Sequence, residues 1–127
     1  MLAVDTNVVV RLLVNDDPRQ GALARRLFEL DEIFIGVTVL LESAWVLESV
    51  YGLSAGDTVK ALRGLLGLAN VRVEDAGAVA AALDAVSKGL ELADALHLLR
   101  APVEAEFVTF DRALAKAGKK VRPVRLA

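Results

Sequence analysis

Short, wholly apolar runs alternate along this chain with longer stretches in which apolar residues recur every three or four positions. The first pattern reads as buried strand and the second as a helix packed on one side. Leu2-Ala3-Val4 is the first strand, halted at Asp5-Thr6-Asn7, whose side chains favour a turn or a helix cap. Helical pattern then runs through Val14. Asn15-Asp16-Asp17-Pro18 interrupts it, and Pro18 suits the first turn of a second helix reaching about Leu30. Ile33-Phe34-Ile35 is a second strand closed by Gly36, and a helix from about Val37 to Tyr51 ends at Gly52. Ser54 and Asp57 form a variant capping box that opens a helix to about Leu68. Val71-Arg72-Val73 is a third strand, followed by an alanine-rich helix capped by Asp75 and ending near Gly89. A further helix spans about Leu92 to Ala101, with Pro102 beyond it. Glu106-Phe107-Val108-Thr109 is a fourth strand, Asp111 opens a short helix to Ala117 that Gly118 stops, and Val121 to Val124 is the last strand.

Strands this short and this apolar, separated by helices, imply a parallel sheet covered on both faces and joined by right-handed crossovers. The expected fold class is α/β, a three-layer α/β/α sandwich with a parallel sheet of about five strands. At 127 residues the chain suits a single domain, residues 1–127. An apolar share of 55% allows a packed core without a disulfide or structural metal. There is no cysteine, which excludes thiolate zinc sites and cysteine nucleophiles and suits a reducing compartment. Mean hydropathy is +0.48, yet no apolar run reaches the roughly 18 residues of a membrane span. The first residues carry Asp5 where a signal peptide would be apolar, so a cytoplasmic protein is expected. Fifteen basic against seventeen acidic residues give a net charge of −2, so any nucleic-acid binding needs a local patch.

Candidate chemistry lies in four acids. In open α/β sheets, sites form beyond the carboxyl ends of the strands, where Asp5 and Asp111 fall. Glu42 interrupts V-T-V-L-L-E-S-A-W-V-L, so it reads as a desolvated carboxylate on a mostly apolar face, with an ion pair to an arginine as the plain alternative. Glu48, about 240° further round that helix, is free to face water. Asp94 sits among leucines and alanines near a helix start. Each acid also has a plain structural reading: Asp5 as a turn former, Asp94 and Asp111 as helix caps. The single histidine, His97, reads as a packed, hydrogen-bonded residue. Crowded carboxylates raise one another's pKa unless a cation compensates, and an oxygen-only donor set suits Mg²⁺ or Mn²⁺.

D-T-N after the first strand, an isolated glutamate in the third helix, A-D-A-L-H and V-T-F-D together resemble the PIN-domain ribonucleases, most of all the VapC-type toxins of toxin–antitoxin pairs. The likeness runs almost end to end, and all four acidic positions of the pattern are filled. It implies a metal-dependent endoribonuclease in which Asp5, Glu42, Asp94 and Asp111 hold one or two Mg²⁺ or Mn²⁺ ions in one pocket. Thr6, Asn7 and Thr109 would support them by hydrogen bonding. It also implies a small antitoxin as partner and a homodimer. RNA would be held by basic residues: Arg11, Arg19, Arg25 and Arg26 in the first helices, and Lys116, Lys119, Lys120, Arg122 and Arg125 near the C-terminus. Trp45 and Tyr51 read as core or dimer contacts rather than base platforms.

Two other classes compete. A non-catalytic α/β interaction module would use the same acids merely as caps. A Mg²⁺-binding phosphoacceptor receiver domain would want paired acids after the first strand, whereas Asp5 stands without an acidic neighbour. Metal-dependent cleavage separates the nuclease from the module, and phosphotransfer from acetyl phosphate separates the receiver from both.

Overall fold

The structure, a computed structural model, describes residues 1–127. It is α/β with seven helices and five strands, all paired in parallel. Contacts group into two compact units, Met1–Ala76 and Gly77–Ala127.

The first unit holds β1 (Leu2–Ala3), α1 (Thr6–Leu13), α2 (Pro18–Leu30), β2 (Ile33–Ile35), α3 (Val37–Ser49), α4 (Ala55–Leu66) and β3 (Val71–Val73). Its sheet has the order β1-β2-β3, with Leu2 opposite Ile33 and Ile33 opposite Val71. Ile33 and Ile35 of the central strand are fully buried, as are Val9, Leu40, Leu47 and Leu62 from the helices around it. Burying side chains of this size contributes about 2 kcal/mol each, which is why a strand of three residues suffices to anchor the unit. Helix entries follow the sequence closely. Asp17 caps α2 through Gln20 N–H with Pro18 in the first turn, and Ser54 caps α4 through Asp57 N–H. Helix α3 has only Gly36 at its cap position, and Glu74 from the end of β3 reaches across to accept from Val37 N–H at 2.9 Å. No local pattern announces that cap, because donor and acceptor are 37 residues apart. Helix α3 ends sooner than Tyr51; Gly52 takes φ 71°, and Leu53 N–H returns to the Leu47 carbonyl.

The second unit holds α5 (Ala76–Val86), α6 (Leu92–Arg100), β4 (Phe107–Thr109), α7 (Arg112–Gly118) and β5 (Val124–Leu126), with β4 and β5 as a two-stranded parallel sheet. The five expected strands are thus present as a ladder of three and a ladder of two. Helix α7 packs on β5, and the fit at Gly118 is close: a Cβ there would lie 3.0 Å from Val124 Cγ2 and 3.1 Å from Leu98 Cδ1. Asp75 precedes α5 with φ 54°, a left-handed backbone unlike the extended N-caps elsewhere.

The last strand starts three residues later than the sequence pattern suggests, at Val124–Leu126 instead of Val121–Val124. Two residues explain the shift. Pro123 has no N–H to give to a ladder. Arg122 is held as a clamp: Nη1 donates to the carbonyls of Leu98 and Ala101 at 2.8 and 3.2 Å, and Nη2 to those of Pro102 and Ala105 at 3.0 and 2.6 Å. These carbonyls are the C-terminal end of α6 and the loop beyond, groups a helix leaves without partners. A cation at that negative end is well placed. Arg122→Met, which keeps the apolar stem, should therefore lower stability by about 2 kcal/mol, read as a shift in the urea midpoint with the slope unchanged. An unchanged midpoint would mean that water replaces the guanidinium without cost.

Candidate active site

Asp5 leaves β1 and directly becomes the N-cap of α1, its Oδ1 accepting from Val8 N–H at 3.3 Å. Its side chain is exposed and Oδ2 is left over from the cap. Thr6, the first residue of α1, is 8% exposed, and its hydroxyl donates to Glu42 Oε1 at 2.5 Å. That bond joins the turn after β1 to the middle of α3, 36 residues away in sequence. Asn7 is exposed and stands at the mouth of an apolar groove of 230 Å³ between α1 and α2, floored by Val8, Ala24 and Leu27.

Glu42 is not desolvated. It is exposed, and so are Thr38, Trp45 and Ser49 on the same side of α3. The buried stripe is Val37, Leu40, Ala44 and Leu47, with Ser43 beside it returning its hydroxyl to the Val39 carbonyl. Because α3 is apolar almost all round, the sequence does not show which stripe is covered. Trp45, 63% exposed, belongs to the open side and not to the core. Nor does Glu42 meet an arginine; its partner is the Thr6 hydroxyl.

In the second unit, Asp94 lies in the first turn of α6 and is half-buried, while Glu91 occupies the cap position without a side-chain bond. Capping therefore does not explain Asp94, although a carboxylate in a first helical turn is electrostatically favoured. Asp111 does cap α7, its Oδ1 accepting from Leu114 N–H at 3.0 Å. Thr109 Oγ1 accepts from Asp111 N–H at 3.0 Å and so braces the backbone that carries the acid. Phe110 between them is 88% exposed. His97 is exposed, against the packed role expected of it; the buried face of α6 is Leu92, Ala95, Leu96 and Leu98.

Oxygen is the only donor type at these four positions, which suits hard divalent cations. In neither unit do three or more Asp, Glu or His side chains close into a ready cage. Several basic candidates make hydrogen bonds or an ion pair within the protein. Arg122 is the clamp described above, Arg125 pairs with Glu106, Lys120 Nζ donates to the Lys88 carbonyl, and Arg25 reaches Asn15 at 3.5 Å. Lys116 and Lys119 remain exposed on and just after α7.

Arg11 belongs to a cluster that sequence reading missed. Its Nε donates to Gln20 Oε1 at 2.7 Å, and Nη1 donates to Asp16 Oδ1 at 2.9 Å and to Tyr51 Oη at 3.2 Å. Tyr51 in turn donates to Asp16 Oδ2 at 2.7 Å. The only local signal was the run Asn15-Asp16-Asp17-Pro18, which holds one acid more than the cap of α2 needs. The Tyr51 hydrogen bond, followed by the charge of Arg11, holds the Asp16 carboxyl below its ordinary value against a partial cost of desolvation. The same bond to Asp16, with desolvation, holds the Tyr51 phenol above its ordinary value.

In the first unit an acid stands at the carboxyl end of β1 beside the Thr6 hydroxyl that holds Glu42, and in the second an acid follows β4 and caps α7. The chain matches the PIN domain over residues 2–120 and belongs to that family, one of nucleases acting as hydrolases. No curated protein matches the chain.

The cluster's pH dependence has a definite sign. Asp16, its pKa lowered on folding, contributes stability above about pH 4 that is lost as pH falls through the depressed value. Tyr51, its pKa raised, contributes stability below about pH 10 that is lost as pH rises through the elevated value. The melting-temperature gap between wild type and Asp16→Asn should hence stay constant from about pH 5 to 9 and shrink in acid. A gap that persists undiminished at pH 2 would show that Asp16 is not held as described.

Proposed function

We propose that this PIN domain is an endoribonuclease dependent on Mg²⁺ or Mn²⁺, the toxin of a type II toxin–antitoxin pair of the VapC kind. It is read as one domain over residues 1–127, since the family match runs through both units. The observation that carries the reading is the Thr6–Glu42 hydrogen bond, which couples the D-T-N turn to the one glutamate of the family pattern on solvent-accessible ground.

Asp5, Glu42, Asp94 and Asp111 are the carboxylates that would hold one or two ions. Bound there, the ions supply Lewis-acid polarisation of the phosphodiester and a nucleophile at neutral pH. The chain's own groups do the rest. The Thr6 hydroxyl occupies one oxygen of Glu42 and limits how the carboxylate turns. Asp5 and Asp111 each commit only Oδ1 to a helix cap and keep Oδ2 for a ligand, so capping and binding are compatible. Lys116 and Lys119 give a salt-sensitive hold on the RNA backbone that carries little sequence information. The partners of this reading are the RNA substrate, a small antitoxin and a second copy of the chain. Its place is the cytoplasm, for which the absence of cysteine is suited; no helix is long and apolar enough to cross a membrane.

The interaction-module alternative gains from one observation, that both Asp5 and Asp111 do cap helices. Asparagine separates the two, because it caps as well as aspartate but is a poor ligand for a hard cation. Purified protein should cut a total-RNA pool into discrete fragments in Mg²⁺ or Mn²⁺ and not in EDTA. Asp5→Asn and Asp94→Asn should each lower the rate by more than about 100-fold, with Asp5→Asn melting within a few degrees of wild type. No cleavage by well-folded wild type freed of antitoxin would favour the module, and full cleavage by both variants would show that Asp5 and Asp94 do not carry the reaction.

A further inference from the structure

Helix α1 is eight residues long, packs against both α2 and α3, and buries Val9 and Val10, which are 0% and 4% exposed. Apolar contact is non-directional, so this burial holds α1 in place without deciding how far along α3 it sits. Polar contacts are directional, and there are two. At the first residue of α1, Thr6 donates to Glu42. Five residues on, about 7.5 Å further along the axis, Arg11 donates to Tyr51 just past the end of α3. Tyr51 donates to Asp16, and Asp16 accepts from Arg11, so the three groups close a ring. Tyr51 is itself placed by the end of α3, where Gly52 turns left-handed and Leu53 N–H returns to Leu47.

We propose that Tyr51 is a positioning residue: by holding Arg11 and Asp16 at the far end of α1, it sets the register of α1 on α3 and so where the Thr6 hydroxyl meets the Glu42 carboxylate. The catalytic meaning of this rests on the nuclease reading of Glu42; the geometric coupling does not. Without the ring, α1 keeps its apolar contacts but loses one of the two polar contacts that fix its place. A carboxylate misaimed by a fraction of an ångström loses rate more than binding, because alignment counts most in the transition state.

Tyr51→Phe keeps the aromatic side chain and removes the hydroxyl that closes the hydrogen-bonded ring; Thr6→Val keeps the shape and removes the donor to Glu42. In the full chain, Tyr51→Phe should shift the amide and methyl resonances of Thr6 and lower kcat for RNA cleavage about tenfold with KM nearly unchanged. The double variant should cleave no more slowly than Thr6→Val alone, since both act through one bond. Asn70→Ala serves as control, removing two hydrogen bonds to the Phe28 and Asp31 carbonyls elsewhere in the same unit. It should destabilise the protein while leaving Thr6 resonances and kcat in place. Unmoved Thr6 resonances in Tyr51→Phe, multiplying losses in the double variant, or an equal shift in Asn70→Ala would each overturn the proposal. Wild type that cleaves no RNA would sink the nuclease reading instead, and the Thr6 resonances would still decide whether Tyr51 sets the pair.

Discussion

The constraint from which most of this structure follows is how little chain lies between a strand's end and the next helix. Val4 and Asp5 separate β1 from α1, Gly36 alone separates β2 from α3, and Phe110 and Asp111 separate β4 from α7. With two or three residues per strand there is no room for a loop, so the residue leaving the sheet must already satisfy the first helical N–H groups. Asp5 and Asp111 do this with their own carboxylates. Gly36 has no side chain to offer, and Glu74 is brought in from β3. Acids thereby gather at the carboxyl ends of strands for a reason that belongs to folding.

In the caps each acid commits only part of its carboxylate. A cap takes one oxygen in a fixed direction, toward an N–H two or three residues on. The second oxygen points elsewhere and stays available. Thr6 and Thr109 then occupy complementary positions: one steadies a carboxylate on another helix, the other steadies the backbone under the acid itself.

Much of the element pattern was legible because it depends on neighbours in sequence. Ile33–Ile35 and Val71–Val73 are strands where the apolar runs placed them, Asp17 with Pro18 opens α2, and Ser54 opens α4. The misplacements have a common origin in long-range partners. Val121 looks like strand, yet Arg122 is drawn to carbonyls of Leu98, Ala101, Pro102 and Ala105, and the ladder starts only after Pro123. Glu42 looks buried because α3 is apolar on nearly every side, and only the packing of Val37, Leu40, Ala44 and Leu47 reveals the open face. Arg11 looks like a surface charge until Asp16 and Tyr51 are found around it.

What the sequence by itself determined is the alternation of parallel strands and helices and the caps that begin most helices. These are properties of residue type and of spacing within a turn or two, where propensity and local hydrogen bonding decide. The tertiary structure alone decided which side of α3 faces water, which arginines are already engaged, and that the Thr6 hydroxyl meets Glu42. Each of those depends on a partner tens of residues away, brought near by burial of apolar surface that carries no directional information of its own. Only the folded chain holds that pairing.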